Sequence, residues 1–389
     1  PNGDILVAET NSPPREGGGI TGWVMNHLMD KAGAGVPSAN RITLLRDSNG
    51  DGKADQRSVF LSGLNSPFGM ALVGNDLYVA DTDALLRFPY KEGDTKISAK
   101  PEKIIDLPGG GNHWARNVLY NPKGDSLWVS VGSATNIAED GMDAEKNRAT
   151  ILEVFPQKKS FRVWASGIRN ATGMALNPVT KRLWAVVNER DMMGSDMPPD
   201  YLTQVDFAAF FGWPWGYWGG YEDRRVEPRR PDLMQYIMRP DYALGPHVAP
   251  LGLAFAADAR LGQRFARGAF IGEHGSWNRQ PVSGYKVVFV PFTAKGFPVD
   301  GAKPQDVLTG FLSPDGEAYG RPVGVITDAL GGLLVADEDA NFFFIPVKTA
   351  RTRLLVTDDQ PRMDTVGGNQ FLGRRISKPE AIVVQLDPR

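Results

Sequence analysis

Six stretches of the chain share one pattern of apolar and polar positions: a turn, a run of large apolar residues, a small residue, then often a carboxylate. They read GDILVAET (3–10), NDLYVADT (75–82), DSLWVSVG (125–132), KRLWAVVNE (181–189), GAFIGEHG (268–275) and GGLLVADE (331–338). Four follow a strand pattern with glycine at a fixed place, at Gly69, Gly173, Gly252 and Gly324. The copy at 125 follows HWARNVLY instead. Several copies lead into a third apolar strand, as in RITLLR, ATILEVF, YKVVFVPF and NFFFIPV. Short strands separated by turns and repeated in this way predict an all-β, six-bladed β-propeller with long inserted loops. A β-sandwich is the other all-β candidate, but it does not repeat a strand-turn-strand unit six times. The fixed glycine has a reason in a propeller, where inner strands crowd the central channel and need close backbone approach.

Two stretches interrupt the repeat. Residues 11–40 contain ITGWVMNHLMDKAGAG, a candidate amphipathic helix that ends in glycines. Residues 190–249 form the largest insertion, and FFGWPWGYWGGYEDRR within it reads as a rigid aromatic loop broken by Gly and Pro. The chain begins nearly inside a strand and without Met, which predicts that something upstream has been processed or cut away. The first repeat lacks its inner strand, while PEAIVVQLDPR near the C-terminus is a strand without a downstream partner. Pairing Ala381 to Leu386 with the N-terminal blade would solve both problems and leave one domain over residues 1–389, with 347–389 outside the repeat.

Composition narrows the function. A formal net charge of -2 supplies no basic footprint, which argues against nucleic acid as a partner. No apolar run approaches the ~20 residues a membrane span needs. The absence of cysteine rules out disulfides and thiolate metal sites.

One motif points to a metal. Asp47, Asn49, Asp51 and Asp55 stand at positions 1, 3, 5 and 9 of a loop with Gly52 at position 6. That is calcium-loop spacing, with Lys53 offering its carbonyl, although Ser58 replaces the terminal glutamate and no helices flank it. The expectation is a structural calcium site away from any chemistry.

Other residues gather where inner strands begin. His113 follows a glycine run, with Arg116 three residues on; Arg169 and Asn170 precede the Gly173 strand, and Arg321 precedes the Gly324 strand. These places lie near one mouth of the channel. Arginines directed into a channel call for anions, so the cluster predicts a polyanionic ligand with His113 placed as a base. Trp277, Asn278 and Arg279 in GEHGSWNR add donors and an aromatic face, and Lys286 follows on a strand. His247 and His27 have no assigned role and read as structural.

Taken in order, RDSNGDGKAD, LNSPFGMAL, GNHWARN, SGIRNATGMAL, VVNERD, FGWPWGYW, GEHGSWNR, GYKVVFVPF and GRPVGV resemble the sorbosone dehydrogenase branch of the PQQ-dependent soluble sugar dehydrogenases. The likeness runs from Asn2 to about Pro346. It implies pyrroloquinoline quinone (PQQ) at the channel mouth, calcium at the cofactor, and a periplasmic or secreted location. By this resemblance His113 is the general base for a sugar or aldehyde substrate, and Arg169 with Asn170 polarises the quinone oxygens. Arg321 and Lys286 would pair with cofactor carboxylates, and carbonyls of Gly212 and Pro214 would hold calcium. Trp277, Asn278, Arg279 and Arg116 would complete the wall, and an external acceptor (cytochrome, quinone or dye) would take the electrons.

Two other readings stay open. A propeller lactonase or other hydrolase would need a channel metal, with Glu189, Asp191, Glu273 and Asp337 as candidate ligands. A non-catalytic interaction platform would leave His113 and the inward arginines without a purpose.

Overall fold

The computed structural model describes residues 3–13, 38–49, 54–258, 260–328 and 331–338, and the strands at 342–345, 353–355 and 380–385. In chain order the first sheet contains β1 (Ile5–Thr10), β2 (Arg41–Arg46) and β3 (Gln56–Ser62). The second comprises β4 (Met70–Val73), β5 (Asp76–Ala80), β6 (Ala84–Pro89) and β7 (Glu102–Asp106), and the third β8 (Val118–Asn121), β9 (Ser126–Val131), β10 (Thr150–Phe155) and β11 (Ser160–Ser166). The fourth has β12 (Ala171–Leu176), β13 (Leu183–Val187) and β14 (Pro199–Gln204). It is completed, after the small hairpin β15 (Gly216–Tyr217) and β16 (Tyr221–Glu222), by β17 (Tyr242–Pro246). The fifth holds β18 (Pro250–Phe255), β19 (Gly268–Glu273), β20 (Lys286–Pro291) and β21 (Gln305–Leu308). The sixth holds β22 (Pro322–Thr327), β23 (Leu333–Asp337), β24 (Phe342–Ile345) and β25 (Arg353–Leu355).

The C-terminal strand, β26 (Glu380–Gln385), returns to pair antiparallel with β1, setting Ile5 opposite Gln385 and Thr10 opposite Glu380. The described strands therefore make six four-stranded antiparallel sheets and one two-stranded hairpin, arranged as an all-β propeller. The terminal strand occupies the inner place that the first repeat lacks.

The repeated motif is the second strand of each sheet, and its continuous apolar character has a simple cause. Alternate side chains point to opposite faces, and here each face packs on a different neighbouring sheet. Leu77 and Val79 of β5 join Leu6, Ile42 and Phe60 of the first sheet, whereas Tyr78 and Ala80 join Val118, Leu127 and Val129 of the third. The same division continues round the ring: Trp128 and Ile151 meet the fourth sheet, Trp184 and Val186 the fifth, and Phe270 and Val287 the sixth. A small cluster of Ala336, Val7 and Leu45 joins the sixth sheet to the first.

The marked glycines sit at the inner contacts. A Cβ on Gly69 would stand 2.5 Å from the backbone nitrogen of Val118, and one on Gly252 only 2.4 Å from the Val323 carbonyl oxygen. On Gly173 it would meet Leu253 N at 2.8 Å. Side chains stitch the same seam: the Asn117 amide donates to the Thr172 carbonyl at 2.6 Å, and the Thr172 hydroxyl donates to Pro250 O at 2.7 Å.

The expected helix within 11–40 falls on residues 14–37, outside the described residues. So do Asp51 and Lys53 of the expected calcium loop. Its ends are described: both Asp55 carboxylate oxygens accept from Ser48, at 3.0 Å from the N–H and 2.6 Å from the hydroxyl. Among the described residues no helix is long and apolar enough to cross a membrane.

Candidate functional site

Strand pairing places the chemistry at one end of the channel. Ala171 opposes Val187, Pro250 opposes Glu273 and Pro322 opposes Asp337, so each inner strand begins beside the end of its second strand. Loops 132–149, 188–198 and 274–285 therefore share an end with His113, Arg169 and Arg321. The end of β2 and the start of β3, with residues 47–49 and 54–55 beside them, lie at the opposite end.

The glycine run before His113 is a packed turn. Gly110 and Gly111 have positive φ (67° and 78°), and a Cβ on Gly111 would sit 2.7 Å from Ala134 Cα. Two buried arginines grip the carbonyls that this turn leaves unpaired. Arg116 donates to Pro108 O at 2.6 Å and His113 O at 2.7 Å; Arg148 donates to Pro108 O at 3.0 Å, Gly110 O at 2.9 Å and also Gly109 O. Burial, helped by the neighbouring Arg148, pushes Arg116 down to about 9, so it still carries its charge at neutral pH. Arg116 thus corrects one expectation: its charge is spent on carbonyl dipoles of its own loop and does not line a ligand wall.

The His113 ring is oriented by Ser133. Its Nδ1 lies 2.8 Å from Ser133 O and 3.0 Å from Ser133 Oγ, and that hydroxyl donates its own hydrogen to Thr135 O at 2.6 Å. With both Ser133 oxygens acting as acceptors, Nδ1 carries the proton in the neutral ring and Nε2 keeps the lone pair. Nε2 has no hydrogen-bond partner among the described residues. Burial, reinforced by the charge of Arg169 and then of Arg116 and Arg148, holds the ring well below the usual histidine range. The imidazole is therefore a neutral base at neutral pH.

Gly132 lets the next group approach. A Cβ there would lie 2.4 Å from Asn170 Oδ1 and 2.6 Å from His113 Cβ. The Asn170 Oδ1 is itself buried without a partner, a polar atom left open beside the base. The Ser133 N–H donates to the Arg169 carbonyl at 2.8 Å, tying the two segments together.

Arg169 is 4% exposed and held from several sides. It donates to Asn136 O (3.2 Å), Asn136 Oδ1 (2.9 Å), Glu189 O and the carboxylate of Asp191 (2.9 Å). Asp191 in turn accepts from Asn278 Nδ2 at 2.8 Å and stands 3.7 Å from His247 Nδ1. The described structure thus brings His113, Asn170, Arg169 and Asn278 together, with Trp277 52% exposed on the adjoining loop.

Three other expectations require correction, and a fourth, the Gly212 and Pro214 carbonyls, is partly engaged. Arg321 donates to the carbonyls of His274 (3.2 Å) and Gly275 (3.0 Å), lies 3.6 Å from Glu338 and stacks its guanidinium over Tyr285, so it staples the sixth sheet to a fifth-sheet loop. Lys286 points outward to Asp306 at 2.8 Å, because β20 is the third strand of its sheet and its neighbour β21 is the outer one. Arg279 binds Ser195 O, Pro281 O and Asp196, and so braces one mouth loop against another. The Gly212 and Pro214 carbonyls each have one lone pair taken, by Gly216 N–H (2.9 Å) and by the buried Arg190 (2.8 Å). Any cation held there would share these oxygens with a guanidinium.

Reading the sequence alone missed Ser133, Asn136, Arg148 and the coupling of Asp191 to Arg169. Each lies in a loop outside the strand repeat. The only local signal was Asp191 in VVNERD, which was weighed as a metal ligand.

The fold and the site together define a β-propeller with a histidine, an asparagine and a fixed guanidinium gathered at one end of its channel. The TrAA12-like family model matches residues 32–202 and 234–348, and the chain belongs to that family. An uncharacterised protein of Borreliella burgdorferi is 27% identical over 289 residues, 72% of this chain and 74% of its own length. The aldose sugar dehydrogenase YliI of Escherichia coli is 26% identical over 243 residues, 58% of this chain and 60% of its own length. The PQQ-dependent pyranose dehydrogenase of Coprinopsis cinerea is 33% identical over 120 residues, 27% of this chain and 15% of that protein. Among solved structures, the calcium structure of the Trichoderma reesei carbohydrate-active enzyme of family AA12 superposes with a TM-score of 0.68 at 19% identity, covering 79% of this chain and 88% of that one. The holo PQQ domain of the Coprinopsis cinerea pyranose dehydrogenase gives 0.66 at 23%, with the same coverage.

Proposed function

We propose that this six-bladed protein is a PQQ-dependent oxidoreductase that oxidises an aldose or a sorbosone-like sugar aldehyde, with His113 as general base. The observation that carries the reading is the His113 ring itself: Nδ1 is anchored on Ser133, Nε2 has no hydrogen-bond partner among the described residues, and burial reinforced by Arg169 holds the ring neutral. A neutral base and a fixed guanidinium with a donor to spare suit a flat, polar quinone, whose oxygens accept hydrogen bonds. Bound PQQ would supply the two-electron acceptor that no side chain offers. His113 Nε2 would take the hydroxyl proton of the substrate, Arg169 and Asn170 would orient the quinone oxygens, and Trp277 would offer an apolar face to the sugar ring.

Calcium at the cofactor belongs to the same proposal, with the second lone pairs of Gly212 and Pro214 as its protein ligands. So do a periplasmic or secreted location and an external electron acceptor. The hydrolase reading fares worse, because Glu189 is paired with Arg190 and Asp191 with Arg169. Among the described residues no three acidic or histidine side chains gather as a metal site.

The test is reconstitution of the apoprotein with PQQ and CaCl2, followed by dye reduction with a panel of aldoses and sugar aldehydes. Sugar-dependent reduction that needs PQQ is the expected result. Lactone hydrolysis without PQQ, and no dye reduction with any sugar, would overturn it. Omitting CaCl2 and adding a chelator should lower PQQ-dependent turnover; undiminished turnover would remove calcium from the proposal.

A further inference from the structure

Arg169 has five N–H donors, and the structure accounts for four of them. Nε–H reaches Asn136 O, one Nη1–H reaches Glu189 O, and the two Nη2 hydrogens go to Asn136 Oδ1 and Asp191 Oδ2. One Nη1 hydrogen is left. Asp191 is equally constrained: its N–H donates to Asn136 Oδ1 at 2.8 Å, and its carbonyl accepts from Asn136 Nδ2 and Arg225, both at 3.1 Å. Its second carboxylate oxygen takes the Asn278 amide at 2.8 Å. Asp191 therefore joins loops 132–149, 188–198 and 274–285 while laying a negative charge directly on Arg169, the arginine whose charge bears most on His113.

We propose that Asp191 is a positioning residue of this site. It aims the single remaining donor of Arg169 and cancels that residue's charge, so that a quinone is gripped there by hydrogen-bond direction and not by net positive charge. The inference rests on the PQQ reading above and goes beyond it, since it concerns what tunes Arg169. It also offsets the cost of burying the Arg169 guanidinium, which unpaired at this depth would be high.

The consequence has a sign. Asp191→Asn keeps an acceptor for Arg169 and removes the negative charge, so the site becomes more cationic. Asn136→Asp adds a charge against the same guanidinium and does the reverse. PQQ carries carboxylates, and its reduction adds further negative charge, so affinity and reduction potential should move together. The experiment is a fluorescence titration with PQQ and a spectroelectrochemical titration of the holo form, for the wild type and both variants, with thermal melting to confirm folding. Asp191→Asn should bind PQQ about fivefold tighter and shift the potential positive; Asn136→Asp should bind more weakly and shift it negative. Weaker binding in both variants, as a purely structural contact would give, overturns the proposal, as does an unmoved potential. Should Asp191→Asn not fold, the sign in Asn136→Asp decides. Wild-type protein that does not bind PQQ would overturn the functional reading and this inference together, whereas normal wild-type binding with unresponsive variants overturns this inference alone.

Discussion

A protonation state is the central fact at the residue scale. Burial and then the charge of Arg169 hold His113 neutral, the form that its proposed role as a base requires. The activity of a base is lost as pH falls through its pKa, so the acid limb of the kcat/KM profile should lie below pH ~6.5, the ordinary histidine value. Arg169→Gln removes the main charge depressing that pKa and should move the acid limb upward, whatever it does to the maximal rate. His113→Asn should retain PQQ binding yet lose about 10²–10⁴-fold in turnover, measured by dye reduction; full activity would remove His113 from the mechanism. Glu273 offers a separate test. Burial raises it to about 8 from the ordinary 4.5, and its Oε2 has no partner among the described residues. Its folded pKa exceeds the unfolded one, so its contribution to stability is complete below pH 4.5 and lost as pH rises through about 8. Glu273→Gln should therefore be nearly neutral at pH ~5 and stabilising by up to ~5 kcal/mol at pH ~9, read from thermal melts at both.

At the scale of elements, the second strand of each sheet organises the fold because both of its faces are packed. The inner seam depends on the glycines, where a methyl group has nowhere to go. Gly252→Ala would drive a carbon against the Val323 carbonyl and should cost about 1–3 kcal/mol, seen as a lower denaturation midpoint. The loop that carries His113 relies on arginines as well as on Trp114, which packs edge-on against Phe68. Arg148→Ala leaves the carbonyls of Gly109 and Gly110 without their donor. Limited proteolysis should then cut near 108–111 well before the sheets unfold, and an uncut loop would argue against that bracing role.

Over the whole molecule, the pairing of β26 with β1 closes the first sheet and so the ring. A chain ending before Glu380 would expose the long hydrogen-bonding edge of β1 and lose the inner strand of that sheet. Truncation there should broaden the unfolding transition, lower its midpoint and promote self-association, measured by calorimetry and by sedimentation. The ring also explains why the mouth is built from residues so distant in sequence. Inner strands start where second strands end, so loops from three sheets share that end with His113 and meet at Asp191.

The strand repeat, the marked glycines and His113 could all be read from the linear chain, because each answers to a local rule. Alternation reports packing on two faces, glycine reports crowding, and a glycine run delivering a histidine into a strand reports an unusual position. The destination of each charge could not be read in this way. Arg116, Arg321 and Lys286 stand at promising places in the sequence, yet a long flexible cation goes to whichever acceptor the fold brings near. Those acceptors are loop carbonyls for two of them and Asp306 for the third. Asp191 shows the converse, since its link to Arg169 spans two loops whose approach is decided by the closing of the ring. The sequence by itself thus determined the strands, their repeat and the place of His113 at the start of an inner strand. Only the tertiary structure decided which ionic groups face the channel mouth and which are consumed in holding it together, because electrostatic partnership depends on distances of a few ångströms that the order of residues does not contain.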